Sequence, residues 1–503
     1  MNNSRIKHTV FAALIVAASF AGGAVAGEIA PRVAAEASEK GSVDALIVFD
    51  DATPLAVDPS LDYRARRSAI VDALQTRAAT HQRSLRAWLD SQAIAHDDFW
   101  IVDAIHARLT PTHLSELAAR NEAMHVESNP VVPRNLPAPE LQPQPQPQRA
   151  EASNIGWGVT KINAPSVWTA GFTGQGVVIG GEDTGYQWDH PILKPQYRGW
   201  NGTTADHDYN WHDAIHDAQA GNPCGSNSPA PCDDDQHGTH TAGTFAGDDG
   251  AAASPRHQYG VAPGAKWIGC RNMDEGNGTP ARYFECMQFM LAPTPVNGGT
   301  ANPALGADVV SNSWSCPVSE GCDANTLQAA VDVLVQAGIF YAAAAQNSGP
   351  ACSTISDPPA LYDSAFVVGA TNTTDQLASF SALGPVVGSS KIRPDVVAPG
   401  VNICSSIPPN SYSCTFSGTS MATPHVAGAA ALLMSAFPSF IGKPASVASL
   451  LQNTAVRQGV TDPYNTTCGG IPKTTFPNYI LGYGRIDVFA AYSEEIFPDG
   501  FDR

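Results

Sequence analysis

The sequence predicts an α/β fold: a three-layer sandwich with a mostly parallel central sheet, preceded by a small α+β domain. From residue 156 onward, nearly unbroken apolar runs recur at residues 177–181, 308–313, 339–345 and 365–370, as in strands buried on both faces. Helix-length segments such as residues 325–336 separate these runs, and alternation of strands and helices implies parallel pairing. A change of composition near residue 133 separates this region from the smaller one before it.

The composition describes a globular chain and excludes several classes of function. Hydrophobic residues make up 43% and charged residues 15% of the 503 residues, so the chain can bury a core. This length exceeds one ordinary domain. The chain has 28 Lys and Arg and 47 Asp and Glu, which gives a net charge of -19. We therefore expect no nucleic-acid partner, because binding nucleic acid would need a basic surface.

Residues 1–26 predict a secretory signal peptide. Arg5 and Lys7 precede an apolar run at residues 10–21, and small residues at 24–26 suit a cleavage site. The apolar run is shorter than the roughly 20 residues of a membrane-spanning helix. We therefore predict export, extracellular or periplasmic, after cleavage behind Ala26, with no membrane partner.

Residues 27–132 predict a separate small domain without cysteine. Strand patterns at residues 45–49, 99–109 and 124–127 alternate with helical patterns at residues 66–89 and from Thr112 onward, a β-α-β-α-β order. Residues 133–155 begin with a Pro/Gln-rich stretch that favours extended polyproline conformation, so they predict a linker and processing region. Residues 156–493 form the predicted sandwich, and residues 494–503 a C-terminal tail.

Ten cysteines lie between Cys224 and Cys468, and export makes them candidates for disulfide bonds. Short turn-rich loops favour the pairs Cys224–Cys232 and Cys404–Cys414. The pairs Cys270–Cys286, Cys316–Cys322 and Cys352–Cys468 complete an even set, although spacing alone leaves the connectivity open. The short Cys spacings of a zinc site are missing.

Three motifs carry the chemistry. They are Asp183-Thr184-Gly185, the run HGTHTAG at residues 237–243, and the run GTSMATPH at residues 418–425. A serine becomes a nucleophile when a base takes its proton, and the base needs a carboxylate to fix its tautomer. We therefore predict a triad of Asp183, His237 and Ser420. The order Asp, His, Ser differs from the α/β-hydrolase order, in which the Ser comes first.

These motifs, together with GVAPGAKW at residues 260–267 and PDVVAPG at residues 394–400, resemble those of subtilisin-like serine proteases, the subtilase family, and specifically its bacillopeptidase F-like branch. The resemblance implies a secreted endopeptidase that acts on protein or peptide substrates without a required cofactor. Ser420 would be the nucleophile, His237 the general base and Asp183 its orienting carboxylate. Asn347 would donate to the oxyanion.

The same resemblance implies further roles. The first domain would be the chain's own inhibitory propeptide, and we expect the enzyme to be a monomer. The residues expected to line the substrate groove and primary pocket are Asn312, Ser313, Trp314, Ala343, Ala344 and Ala345.

Two alternatives remain open from the sequence. A secreted serine esterase would prefer apolar esters to peptides, and a catalytically impaired binding module is suggested by Gln346, which replaces the Gly usual before Asn347. His240 and His425 are expected to be packed or capping residues, because the other residues of a zinc-protease motif are missing. The run of three aspartates at residues 233–235 is expected to form a solvated acidic turn.

Two further departures from the family pattern concern buried positions. Glu182 precedes Asp183 where an apolar residue is usual, so it needs a partner inside the sheet. Ile192 stands where some relatives have a calcium-ligating Asp, so that calcium site is not expected. No metal site is predicted, and structural calcium elsewhere stays open.

Overall fold

A computed structural model describes residues 27–50, 55–58, 60–129, 132–133, 155–250, 253, 255–317 and 322–496. The predicted signal peptide, nearly all of the predicted linker and residues 497–503 of the predicted tail lie outside these ranges. Within the described ranges, no helix combines the length and apolar character needed to cross a membrane.

The first part of the chain, residues 27–129, forms a five-stranded sheet with helices. Its sheet order is β1-β5-β2-β4-β3, and every pair except β1–β5 is antiparallel. Its elements are β1 (Glu28–Ile29), α1 (Pro31–Lys40), β2 (Val43–Phe49), α2 (Tyr63–His81), α3 (Arg83–Ser91), β3 (His96–Phe99), β4 (Ala104–Leu109), α4 (Pro111–Ala118) and β5 (Met124–Ser128).

The predicted β-α-β-α-β order is wrong for this part, because β1 and α1 precede the predicted elements and two of those elements are divided. The predicted helix at residues 66–89 is interrupted at Gln82, whose side-chain Nε2 donates to Phe99 O at 3.2 Å and to Asp103 Oδ1 at 3.1 Å. The predicted strand at residues 99–109 is a hairpin whose turn includes Asp103, with φ 50°. These breaks depend on hydrogen bonds between residues that are distant in sequence. Hydrophobic periodicity contains no information about such bonds, so it does not predict the breaks.

The second part is the predicted α/β sandwich, and its seven-stranded all-parallel sheet confirms the fold class. The sheet order is β15-β14-β13-β12-β7-β9-β8. These strands are β7 (Val178–Asp183), β8 (Trp211–Asp213), β9 (Lys266–Arg271), β12 (Val309–Asn312), β13 (Phe340–Ala344), β14 (Phe366–Thr371) and β15 (Val396–Pro399). The other strands are β6 (Val132–Pro133), β10 (Met273–Asp274), β11 (Asn277–Gly278), β16 (Ile403–Ile407) and β17 (Ser411–Phe416).

Helices cover both faces of this sheet. They are α5 (Trp157–Lys161), α6 (Ala164–Thr169), α7 (His237–Ala246), α8 (Pro280–Leu291), α9 (Gln328–Gln336), α10 (Thr419–Ala436), α11 (Pro444–Asn453) and α12 (Val488–Ile496). Val309 and Ala342 belong to the core shared with α7 and α10, whereas Val310 and Ala343 belong to the core shared with α8 and α9. Successive strand residues thus alternate between two apolar layers, which explains the nearly unbroken apolar runs.

The two parts share an interface. Phe99 lies 6.0 Å from Phe284 of α8 between ring centroids, within one continuous apolar cluster. Gln288 of α8 accepts hydrogen bonds at Oε1 from the main-chain N–H of Trp100 at 2.6 Å and of Ile101 at 3.1 Å. In addition, β6 pairs antiparallel with β11, the edge of the small β10–β11 hairpin. The first part therefore docks on α8, and the β6 segment that follows it pairs with this hairpin.

The ten cysteines lie in five pairs at disulfide-bonding distance, and these pairs coincide with the set considered from the sequence. They are Cys224–Cys232, Cys270–Cys286, Cys316–Cys322, Cys352–Cys468 and Cys404–Cys414. At the other end of the sandwich, α12 continues to Ile496, across the predicted tail boundary at residue 494. The exposed turn at residues 494–496 continues the helix because it contains no helix breaker.

Candidate active site

The three predicted triad residues lie on elements that meet at the carboxyl edge of the parallel sheet. Asp183 ends β7, and His237 is the first residue of α7. Ser420 is in the first turn of α10. Glu182 is in register with Asn312, the last residue of the adjacent strand β12, so Asp183 and Ser313 are the residues that directly follow this pair.

Asp183 and His237 form a buried hydrogen-bonded pair. His237 Nδ1 lies 2.6 Å from Asp183 Oδ1, and the exposed fraction of each side chain is at most 1%. The main-chain N–H of Thr184 also donates to Asp183 Oδ1, at 2.7 Å. Because Nδ1 carries the proton donated to the carboxylate, Nε2 is the basic nitrogen of His237. This Nε2 is buried and has no hydrogen-bond partner among the described residues.

The start of α7 is anchored by Asp233, so the prediction of a solvated acidic turn is wrong. Asp233 Oδ2 accepts from the N–H and the hydroxyl of Thr239, at 2.9 and 2.5 Å. Its Oδ1 accepts from the hydroxyl of Thr184 at 2.9 Å. Asp234 is also buried and lies 3.1 Å from Arg271 Nη1. These carboxylates face helix N–H groups, hydroxyls and an arginine of the protein instead of water.

Ser420 is held by the main chain beyond β12. Its Oγ donates to the carbonyl of Ser313 at 2.8 Å, and the hydroxyl of Ser313 donates back to the carbonyl of Ser420 at 3.0 Å. In this state the Ser420 proton is bonded to Ser313 instead of His237. Transfer of that proton therefore requires Oγ to turn from the Ser313 carbonyl to His237 Nε2, as catalytic hydrogen bonds often tighten only with substrate bound.

Asn347 is oriented by Thr419, the residue before Ser420. The side-chain oxygen of Asn347 accepts from the main-chain N–H of Thr419 at 2.9 Å and from its hydroxyl at 3.0 Å. The position that a Cβ on Gly418 would occupy is 3.7 Å from Asn347 Nδ2 and 3.6 Å from the N atom of Ser420. Asn347 Nδ2 and the N atom of Ser420 therefore both lie within 3.7 Å of that position.

Gln346, the departure beside Asn347, adopts the left-handed backbone conformation that favours Gly, with φ 79°. Its side chain compensates with two hydrogen bonds to a neighbouring loop. Nε2 donates to Asp357 O at 2.6 Å, and Oε1 accepts from the N–H of Ser356 at 3.1 Å. The side chain that replaces Gly therefore joins the backbone next to Asn347 to the loop at residues 356–357.

Glu182 finds the partner that its position in the sheet requires. Its Oε1 lies 3.0 Å from the hydroxyl of Tyr341 on β13, and the same hydroxyl lies 2.8 Å from Asn312 Oδ1. Complete burial raises the pKa of Glu182 to about 8, and the charge of Asp183 also raises it, whereas the hydrogen bond from Tyr341 lowers it. Glu182 is therefore mostly neutral at pH 7.

The residues expected to line the substrate groove are buried in the structure. The amide of Asn312 donates to Trp314 O at 2.9 Å, and the indole of Trp314 stacks on Tyr283 with ring centroids 3.7 Å apart. Ala343, Ala344 and Ala345 are also buried, at the end of β13. The side chains of Asn312 and Trp314 are thus engaged within the protein, and their main chain is what could contact a peptide.

The two other histidines of the motifs have packing partners. His240 Nε2 bonds to Ile403 O at 3.0 Å and its ring stacks on Phe416, while His425 Nδ1 bonds to Met421 O at 2.8 Å. Burial lowers the pKa of His240 to about 3 and that of His425 to about 4, so both are neutral.

Ile192 is fully buried in the core, as an apolar residue should be. In the part of the chain that the structure describes, no group of three or more His, Cys, Asp or Glu side chains has an arrangement that could hold a metal ion.

Sequence reasoning missed three residues that orient the site, namely Thr419, Asp233 and Tyr341. Asp233 had a signal, since an Asp placed shortly before a helix that opens with HGT is a capping candidate. Tyr341 had none, because its role depends on three strands being adjacent.

Comparisons with known proteins show what this chain is similar to. The profile described as "Subtilase family" matches residues 174–484. Bacillopeptidase F of Bacillus subtilis (strain 168) is 33% identical over 450 residues, which make up 85% of this chain and 29% of that protein. Subtilisin NAT of Bacillus subtilis subsp. natto is 32% identical over 310 residues, 61% of this chain and 68% of that protein. Subtilisin of Bacillus pumilus is 32% identical over 310 residues, 61% of this chain and 94% of that protein. The chain therefore spans less than a third of the length of Bacillopeptidase F.

Proposed function

Since the chain belongs to the subtilase family, we propose that it is a serine endopeptidase in which Ser420 is the nucleophile, His237 the general base and Asp183 the orienting carboxylate. The observation that carries this proposal is the buried bond of 2.6 Å between Asp183 Oδ1 and His237 Nδ1. That bond fixes the tautomer in which Nε2 can accept a proton.

The reaction has two halves. Ser420 Oγ attacks the carbonyl carbon of a peptide bond while His237 Nε2 takes the hydroxyl proton, and the imidazolium then gives that proton to the leaving amine. Water, deprotonated by His237, attacks the resulting ester and releases the acid and free Ser420. The negative charge on the peptide oxygen in each half would be stabilised by Asn347 Nδ2 and the main-chain N–H of Ser420, at the N-terminal end of α10. This chemistry requires no cofactor.

We further propose that residues 27–132 act as an intramolecular inhibitor of the peptidase part. The antiparallel pairing of β6 with β11 supports this role, because an extended peptide substrate would bind by the same kind of strand addition. The hydrogen bonds from Trp100 and Ile101 to Gln288 anchor the inhibitor to α8. Export would follow from the signal peptide predicted at residues 1–26.

The test uses the full-length chain and its Ser420→Ala variant, with Ser446→Ala, an exposed residue of α11, as the control. We expect the wild type and the control to hydrolyse unstructured protein and peptide amides. The Ser420→Ala variant should lose about 10⁶-fold in kcat. A fluorophosphonate should add once to the wild type, on the peptide that contains Ser420.

Esters and amides separate the alternatives. Hydrolysis of apolar esters without peptide cleavage would favour an esterase. Peptide binding without any hydrolysis, and without labelling of Ser420, would favour a binding module.

A further inference from the structure

Glu182 is a carboxyl group buried in the middle of the sheet, directly before the proposed orienting carboxylate. Its side chain is fully buried, and its Oε2 has no hydrogen-bond partner in the part of the chain that the structure describes. The neighbours in register with it are Asn312 on β12 and Cys270 on β9, which is disulfide-bonded. Burial of a carboxyl group destabilises the fold unless the group has hydrogen-bond partners. The partners of Glu182 therefore indicate its role.

Four residues form a closed ring of hydrogen bonds across β7, β12 and β13. The hydroxyl of Tyr341 joins Glu182 Oε1 at 3.0 Å to Asn312 Oδ1 at 2.8 Å. Asn312 Nδ2 donates to Trp314 O at 2.9 Å, and the indole N–H of Trp314 donates to the main-chain carbonyl of Glu182 at 3.0 Å. The ring therefore begins and ends at Glu182.

The ring has one proton too few unless Glu182 is protonated. Asn312 Nδ2 is committed to the carbonyl of Trp314, so Asn312 faces Tyr341 with its oxygen, which can only accept. Tyr341 has one hydroxyl proton for two acceptors. When the Glu182 carboxyl carries a proton, it donates to the Tyr341 oxygen, Tyr341 donates to Asn312, and every bond in the ring has a donor.

The ring connects the two strand ends of the site. Asp183 follows Glu182, and Ser313, whose carbonyl accepts from Ser420 Oγ, lies between Asn312 and Trp314. We propose that Glu182 is a positioning residue that acts in its neutral form: its proton closes the ring that holds Asp183 and Ser313 in place, and loss of that proton at alkaline pH opens the ring and slows the chemical step. The proposal rests on the peptidase function proposed above.

The charges around Glu182 agree with this behaviour. Asp183, the next residue on the same strand, is the carboxylate whose charge acts on it, and Tyr341 on β13 is the titratable group bonded to it. The phenol of Tyr186, also fully buried, is close enough to feel the charges of Glu182, Asp183 and Asp233. No Lys or Arg among the described residues forms an ion pair with Glu182. Ionisation would therefore place a second buried negative charge beside Asp183, without a counterion.

The first test compares the pH dependence of kcat in the wild type, Glu182→Gln and Glu182→Leu. Glutamine has the same shape, can donate to Tyr341 and cannot ionise, whereas leucine removes the donor. We expect a wild-type kcat that declines near pH 8, a decline moved up by at least one pH unit in Glu182→Gln, and a kcat about tenfold lower in Glu182→Leu with KM little changed. Rescue by Gln but not by Leu is the signature of positioning. An unshifted decline in Glu182→Gln, or a Glu182→Leu variant as active as the Gln variant, would overturn the proposal.

A second measurement does not depend on peptidase activity, so failure of the proposed function is distinguishable from failure of this inference. Urea unfolding is followed from pH 5 to 9 in a Ser420→Ala background, with and without Glu182→Gln. The pKa of Glu182 is near its ordinary value of 4.5 in the unfolded chain and about 8 in the folded chain. Between these two pH values, unfolding therefore releases a proton. Relative to the Gln variant, the unfolding constant of the Glu chain should rise about tenfold per pH unit in that interval. Equal pH dependence in both chains would show that Glu182 is ionised when folded and would refute the proposal.

Discussion

In the proposed mechanism, Thr419 sets the direction of the amide dipole of Asn347. An amide can turn either its oxygen or its nitrogen toward the substrate, and only the nitrogen could stabilise an oxyanion. The two bonds from Thr419 to the Asn347 oxygen settle this orientation. In the proposed reaction this amide would need no reorganisation when the negative charge develops, which is the condition for strong electrostatic stabilisation.

Substitution of Asn347 by Ala should lower kcat by about 10²–10³-fold with little change in KM, because the lost bond forms mainly in the transition state. Steady-state kinetics on a peptide amide measures both constants, and Asn325→Ala, at an exposed position, is the matched control. A raised KM with unchanged kcat would instead assign Asn347 to substrate binding.

At this scale the sequence predicted residue types better than residue environments. The triad motifs predicted the residues that the structure brings to one edge of the sheet, and the buried position of Glu182 predicted a need for a partner. The identity of that partner, Tyr341, depends on strand order, which a local pattern does not contain. The run at residues 233–235 was misjudged for the same reason, because its hydroxyl and arginine partners come from distant segments.

At the scale of elements, α8 contacts different parts of the molecule with its two faces. One face packs on the sheet, and the Cys270–Cys286 bond joins it to β9. The other face presents Phe284 and Gln288 to the N-terminal part. Strands β7, β12, β13 and β14 were predictable from apolar runs because both of their faces are buried. The division of α2 from α3 was not, since it follows from bonds made by one buried polar side chain.

The Gln288→Leu substitution should weaken the hold of the N-terminal part on α8. It leaves the N–H groups of Trp100 and Ile101 without an acceptor at roughly 1–3 kcal/mol each, so we expect the contact to be weaker by at least about 30-fold. Peptidase activity should then appear sooner after dilution of freshly produced enzyme. The Gln288→Glu variant keeps an acceptor and should show the wild-type delay. Identical delays for all three chains would remove Gln288 from the inhibitory contact.

At the scale of the whole molecule, the disulfide bonds differ in how much of the unfolded chain they restrict. Cys352–Cys468 closes 116 residues, whereas Cys224–Cys232 closes 8. In the chain-entropy account, loss of the long loop costs about 5 kcal/mol of stability and loss of the short one about 2.5 kcal/mol. Replacing each pair by Ala in a Ser420→Ala background, followed by urea unfolding, measures both costs. A short-loop variant that is the less stable of the two would contradict the entropic ranking.

The two-residue pairing of β6 with β11 has a kinetic consequence that depends on chain connectivity. While the chain is intact, this contact forms at an effective concentration in the millimolar range, which no free peptide would match in dilute solution. If residues 27–132 inhibit the peptidase part as proposed, a single cut behind β6 would turn the same segment into an ordinary competitor at the concentration of the enzyme itself. Dilution, and not further proteolysis, would then be sufficient to release activity, so enzyme kept concentrated should remain latent much longer than enzyme that has diffused away from its source.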